Sequence, residues 1–132
     1  YETDLVIIGG GLSGLAAAQS AVDQGAKPIV LEKEAALGGG GNFPEGSLGV
    51  GTRYQKEHNI NTTVDQVLTA ALQYHHYRAD PHVLRVLIEE SGKTIDWVMD
   101  KGAQMRGIRT MYPNDDMALV QRRCCRHHPA LR

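Results

Sequence analysis

Six residues, Gly9-Gly10-Gly11-Leu12-Ser13-Gly14, restrict this chain more than any other segment. They satisfy the spacing G-x-G-x-x-G, a weak signal alone because a glycine-rich chain can produce it by chance. Context gives it meaning. Asp4-Leu5-Val6-Ile7-Ile8 before it is a short β-branched run that reads as a buried strand. Leu12 to Gln24 after it is alanine-rich, with Leu15, Ala18 and Val22 at helical spacing and Gly25 placed as a stop. Pro28-Ile29-Val30-Leu31-Glu32 reads as a second strand. Strand, helix and strand within residues 4–32 make one βαβ unit, and a connection that short favours parallel strands.

In that setting each glycine has a physical reason. Gly9 permits a tight turn, Gly11 lets backbone approach a pyrophosphate, and Gly14 lets the helix pack closely on the strand. The helix N-terminus offers unpaired N–H groups and partial positive charge to phosphate. An acidic residue is then required about 20 positions on, and Glu32 follows Gly11 by 21. Its carboxylate can accept hydrogen bonds from both ribose hydroxyls of an adenosine and would repel a 2′-phosphate, which disfavours NADP. Lys33 beside it weakens that exclusion only slightly. These residues predict dinucleotide binding and leave FAD and NAD both open, since both present the same ADP half.

Glycine is also clustered further on. The chain has Gly 15 in 132 residues, about 11% against an ordinary 7%. Gly38 to Gly41 and Gly46 to Gly51 hold most of the remainder. Flexible backbone soon after the ribose-binding strand could lie along the rest of a long cofactor. A helical region follows, over about residues 63–101. Thr63 and Gln66 can form a capping box, with Val64, Val67, Leu68, Ala71 and Leu72 on one face. Asp80-Pro81 reads as an N-cap before a helix carrying Val83, Leu84, Leu87 and Ile88, which Gly92 would punctuate. Ile95, Val98 and Met99 suggest a third short helix closed by Gly102.

Several classes are disfavoured. Lys+Arg 14 against Asp+Glu 15 gives a formal net charge of -1, so no nucleic-acid partner is expected. No apolar run approaches the roughly 20 residues that span a bilayer, and the acidic Tyr1-Glu2-Thr3-Asp4 start lacks the cationic flank of a signal peptide. Two adjacent cysteines are no disulfide framework, so a cytoplasmic setting is the default. Residues 109–132 read as an irregular tail rich in Arg, Cys and His. Vicinal pairs, Cys124-Cys125 and His127-His128, point their side chains apart, so no metal site is expected there.

Val6 to Ala17 followed by Val30-Leu31-Glu32-Lys33 resembles the start of FAD-dependent oxidoreductases. Gly38-Gly39-Gly40-Gly41-Asn42-Phe43-Pro44-Glu45-Gly46-Ser47-Leu48-Gly49-Val50 resembles the flavin-contacting loop of the fumarate reductase/succinate dehydrogenase flavoprotein group. Tyr74 to Pro81 and Thr94 to Trp97 are similar to that group's following helices. The resemblance runs from about Asp4 to Gly107 and fades after Ile108. It implies an α/β fold, a partial Rossmann-like βαβ unit with an incomplete sheet, followed by helices, in a domain segment over residues 1–108.

The resemblance further implies that Gly9, Gly11, Leu12, Ser13 and Gly14 hold the pyrophosphate, with Glu32 and Lys33 at the adenine ribose. It places Gly39, Gly40, Gly41, Asn42, Glu45 and Gly46 against the ribityl chain and flavin. Members move a hydride between flavin and a carbon–carbon double bond, typically of a small unsaturated carboxylate. Those with covalent flavin carry a histidine in the glycine loop. None occurs between Glu32 and Glu45, so FAD is expected to be non-covalent. Such flavoproteins are several times longer, and their dicarboxylate-binding residues lie downstream. The chain therefore reads as an N-terminal fragment, or as a gene truncated or frameshifted near Ile108, probed best without any catalytic assignment.

His75 and His76 are adjacent on a predicted helix, face about 100° apart, and read as structural, as does Trp97 as a core or interface aromatic. Two strands, with a third near Ala103 to Ile108, would leave a sheet edge and apolar faces open, so self-association is expected. An electron-transfer subunit, and through it a membrane, is compatible with this reading. Two other readings compete: an NAD-binding dehydrogenase domain, and a truncated non-catalytic assembly module.

Overall fold

The computed structural model describes residues 1–43, 46–110 and 118–122. The chain divides into two compact units, Tyr1–Pro44 and Glu45–Arg132.

In the first unit, β1 (Leu5–Ile8), α1 (Leu12–Asp23) and β2 (Pro28–Leu31) follow the expected order. β1 and β2 pair in parallel, with Leu5 opposite Pro28 and Ile8 opposite Leu31. α1 ends where glycine permits a reversal: Gly25 has φ +83° and donates its N–H to Val22 O at 2.9 Å. The strand entrance is pinned by Asp4, whose carboxylate accepts from Lys27 N at 2.8 Å, and by the Thr3 hydroxyl, which donates to Lys27 O. β1 departs from expectation, because it is not buried. Val6 is 53% and Ile8 89% exposed. Among the described residues this sheet has two strands, and α1 packs on both. Ile7 alone in β1 is partly buried, and its Cγ2 lies beneath Gly14 of the helix.

The second unit is built on helices. α2 (Arg53–Glu57), α3 (Val64–Tyr74) and α4 (Pro81–Asp100) are followed by β3 (Met105–Thr110) and β4 (Ala118–Arg122). The expected capping box opens α3, with Thr63 N donating to Gln66 Oε1 at 2.8 Å and Gln66 N donating to Thr63 Oγ1 at 3.3 Å. Asp80 caps α4 by accepting from His82 N at 2.8 Å. Caps of this kind are worth about 1 kcal/mol each. Val50, Val67, Leu68 and Ile88 form the core of the unit, flanked by Leu48, Val64, Ala70, Leu72 and Leu84.

Four sequence expectations are corrected here. Gly92 does not interrupt α4, which runs unbroken through Ile95, Val98 and Met99 as one helix of 20 residues. Its inward stripe is Ile88, Ser91, Gly92 and Ile95, with Leu84 partly buried, so Val83 and Leu87 lie off that face and are exposed. A short helix, α2, stands where the sequence reads as irregular, started by its own capping box: Gln55 N donates to Thr52 Oγ1 at 3.0 Å and Thr52 N to Gln55 Oε1 at 3.1 Å. His75 and His76 are not on α3. His75 is its C-cap, and His76 and Tyr77 turn the chain with φ of +50° and +56°. Finally, the third strand does not join β1 and β2. β3 pairs antiparallel with β4 in a separate two-stranded sheet, so the tail read as irregular contains a strand. Cys124, Cys125, His127 and His128 lie outside the described residues.

Candidate cofactor site

The first unit brings the two earlier glycine clusters together. Gly9 N donates to Leu31 O at 2.7 Å as the chain leaves β1, and Gly9 takes φ +99°, a conformation that excludes most side chains. Gly11, the N-cap of α1, has ordinary extended backbone at φ −74° and ψ −176°. Its glycine is thus not required by conformation. Nor is it required by packing within the chain, since a Cβ there would meet no atom within 4 Å. Gly14 is the opposite case: a Cβ would run into the carbonyl oxygen of Gly9 and lie 3.3 Å from Ile7 Cγ2. The helix therefore sits as close to the strand as the spacing implies.

Among the described residues no side chain caps α1. Gly11 has no side chain to do so, and the first turn holds no acidic residue. The first-turn N–H groups and the positive end of the helix dipole are an arrangement suited to an anion. Leu12 and Ser13 are exposed on that turn.

Glu32 lies at the end of β2, partly buried. Its Oε2 accepts from Gly10 N at 2.6 Å and its Oε1 from Glu34 N at 2.9 Å. Those bonds, the one from Glu34 first and that from Gly10 next, hold its carboxyl below the usual glutamate range against a small opposing effect of burial. The carboxylate has further lone pairs for hydroxyl donors. Lys33 is exposed, with its ammonium 3.5 Å from Glu34.

Gly38 donates its N–H to Gly10 O at 2.7 Å, and Gly11 and Gly38 form an isolated parallel bridge. Gly38 has φ +110° and opens a 3-10 turn, Gly39–Asn42. Asn42 fastens it, donating from Nδ2 to Leu37 O at 3.1 Å. A Cβ on Gly41 would strike the Leu12 side chain, whereas one on Gly40 would meet nothing within 4 Å. The segment carrying Gly39, Gly40, Gly41 and Asn42 thus lies against the start of α1. Gly46 is exposed and belongs to the second unit, and Glu45 lies outside the described residues.

Sequence reasoning missed Gly10. Position x of G-x-G carries no requirement in the spacing rule, yet here a Cβ would collide with Leu37 and stand 3.1 Å from Glu32 Oε2. The visible signal was three consecutive glycines where two suffice. Trp97 is partly buried with Lys101 Nζ 5.9 Å above its ring, as a structural aromatic would be. Among the described residues, no His/Cys/Asp/Glu group could hold a metal ion.

A helix start without a side-chain cap, Gly9, Gly11 and Gly40 where an added Cβ would meet no atom within 4 Å, and a carboxylate held at the second strand's end are features suited to the ADP half of FAD. Comparison with known proteins points to the same cofactor. Vinyl phenol reductase of Lactiplantibacillus plantarum is 37% identical over 108 residues, covering 82% of this chain and 22% of that protein. NADH:fumarate oxidoreductase of Klebsiella pneumoniae is 33% identical over 110 residues, covering 81% and 12% respectively. The open conformation of a flavocytochrome c3 fumarate reductase shares the fold, with TM-score 0.74 at 21% identity over 96% of this chain and 22% of that one. The chain thus spans about a fifth or less of these relatives. The sequence model described as FAD binding domain matches residues 4–131, so the likeness continues past Ile108, where the sequence alone loses it. On a match that takes in both glycine clusters and Glu32, the chain belongs to the FAD binding domain family, alongside fumarate reductases and related flavoprotein reductases.

Proposed function

We propose that this chain supplies the adenosine- and pyrophosphate-binding part of a flavin-dependent reductase acting on a carbon–carbon double bond conjugated to a carboxylate. The observation that carries the reading is the uncapped N-terminus of α1, open beside Gly11, with Glu32 fixed by Gly10 and Glu34. Backbone N–H groups of Leu12, Ser13 and Gly14 bind the pyrophosphate through the helix dipole. Glu32, a carboxylate at neutral pH, accepts the ribose hydroxyls. Gly39, Gly40, Gly41 and Asn42 line the path beyond the pyrophosphate, while Lys33, Glu45 and Gly46 take their assignments from the family resemblance alone. When bound, FAD supplies hydride transfer. The chain's own residues bind and orient it, and none is assigned to protonate a substrate.

The absence of histidine between Glu32 and Glu45 favours non-covalent FAD. The small unsaturated carboxylate, an electron-transfer subunit and a cytoplasmic setting belong to the same proposal. Among the described residues no helix is long and apolar enough to cross a membrane. The exposed Val6, Ile8 and Leu31 favour self-association of the isolated chain, which light scattering would report as species larger than a monomer. A purified chain that is yellow and releases free FAD on denaturation is the result expected. A colourless chain that also fails to bind added FAD contradicts the proposal.

A further inference from the structure

The contact between Glu32 and the first glycine loop depends on Gly10. Gly10 is buried, and its backbone is not in the left-handed region, so conformation alone does not demand glycine there. Space does. An added Cβ would overlap the end of the Leu37 side chain, 3.1 Å from Glu32 Oε2 and 3.4 Å from Glu32 Cβ. Leu37 can swing away cheaply, being itself 54% exposed. Glu32 cannot yield as freely, because Gly10 N and Glu34 N hold its two oxygens at 2.6 and 2.9 Å.

We propose that Gly10 is a positioning residue for ribose recognition: lacking a side chain, it lets Glu32 fold back onto the loop, where two backbone N–H groups orient its carboxylate for an adenosine ligand. The inference rests on the proposed ADP-binding role of this unit. Two of the lone-pair directions on the carboxylate are taken by backbone N–H groups, and the others remain for the two ribose hydroxyls. A carboxylate already oriented need not be ordered on binding, which removes part of the entropic cost. The same bond couples the loop that receives the phosphates to the strand end that receives the ribose.

The test compares ADP with 2′,3′-dideoxy-ADP, which lacks both hydroxyls, by calorimetric titration of the full chain. Wild type is expected to prefer ADP. Gly10→Val is expected to weaken ADP by about tenfold, as loss of a charge-assisted hydrogen bond would, and to leave dideoxy-ADP within about twofold. Adding Gly10→Val to Glu32→Ala should then cost no further ADP affinity. Gly10→Ala serves as the milder variant should valine impair folding, with melting curves recorded for both. Equal losses for the two ligands, or no loss for either, would overturn the role assigned to Gly10. Wild type binding neither ligand would overturn the ADP-site reading itself and the inference with it.

Discussion

Gly11 and Gly92 are both glycines at helices, and they are glycine for opposite reasons. Around Gly11 in the first unit there is empty space and an uncapped helix end. Around Gly92 in the second unit there is none: a Cβ would run into the carbonyl oxygen of Val50. The neighbouring polar groups follow the same division. Ser91 Oγ accepts from Val50 N at 3.1 Å and donates to Ile88 O at 2.6 Å, and Asp96 Oδ1 accepts from Arg53 N at 3.1 Å. The backbone donors Val50 N and Arg53 N near Gly92 are thus answered by side chains of α4, whereas α1 has no side-chain cap. A glycine can make room for the protein or for something else, and only the second kind marks a site.

The largest effect expected from this contrast is at Gly92. Alanine in a helix interior ordinarily stabilises by about 1 kcal/mol over glycine. At Gly92 the sign should reverse, with a loss of about 2 kcal/mol by denaturant melting, because the Val50 backbone must move. A stabilised Gly92→Ala would break the comparison. Ser91→Ala comes next, at about 1–2 kcal/mol, since it strands the buried N–H of Val50. A loss indistinguishable from zero would mean that another acceptor replaces it.

Gly11→Ala should cost less than about 1 kcal/mol of stability, the loss of a neutral N-cap, while reducing ADP affinity more than tenfold by filling the phosphate space. Equal melting and equal binding would show that the space is not the ligand's. The smallest effect is a pH dependence. Glu32 has its folded pKa lowered, so its contribution is present above the unfolded value near 4.3 and is lost as pH falls through the folded value. Glu32→Gln should flatten that acidic limb of the melting profile. An unchanged limb would place the titration elsewhere.

Much of the first unit was legible because its local signals agree: β-branched runs, a glycine spacing, and a helix stop at Gly25. Capping residues made α3 and the start of α4 legible too. What escaped the sequence was set by tertiary contact. Gly92 reads as a stop by propensity and is instead a contact point under Val50. Thr52 and Gln55 are polar and near glycines, which reads as a loop, yet they are among the most buried side chains, at 0% and 1% exposure, because they satisfy one another. The pairing of β3 with β4 rather than with β1 and β2 joins neighbouring segments, Thr110 opposite Ala118, but β4 lies in a stretch whose residues carry no alternating apolar pattern. The candidate site was visible in its glycines and in Glu32. The need for Gly10 was not, since it arises from a side chain 22 residues away folding back.

The central claim is that the first unit grips the ADP half of FAD. Parallel calorimetric titrations of FAD and FMN into the full chain test it most directly. FMN shares the flavin and lacks the adenosine and the second phosphate. The account predicts FAD binding at least roughly 100-fold tighter than FMN, with ADP competing for the FAD site. FMN binding as tightly as FAD, or FAD binding that ADP cannot displace, would contradict it.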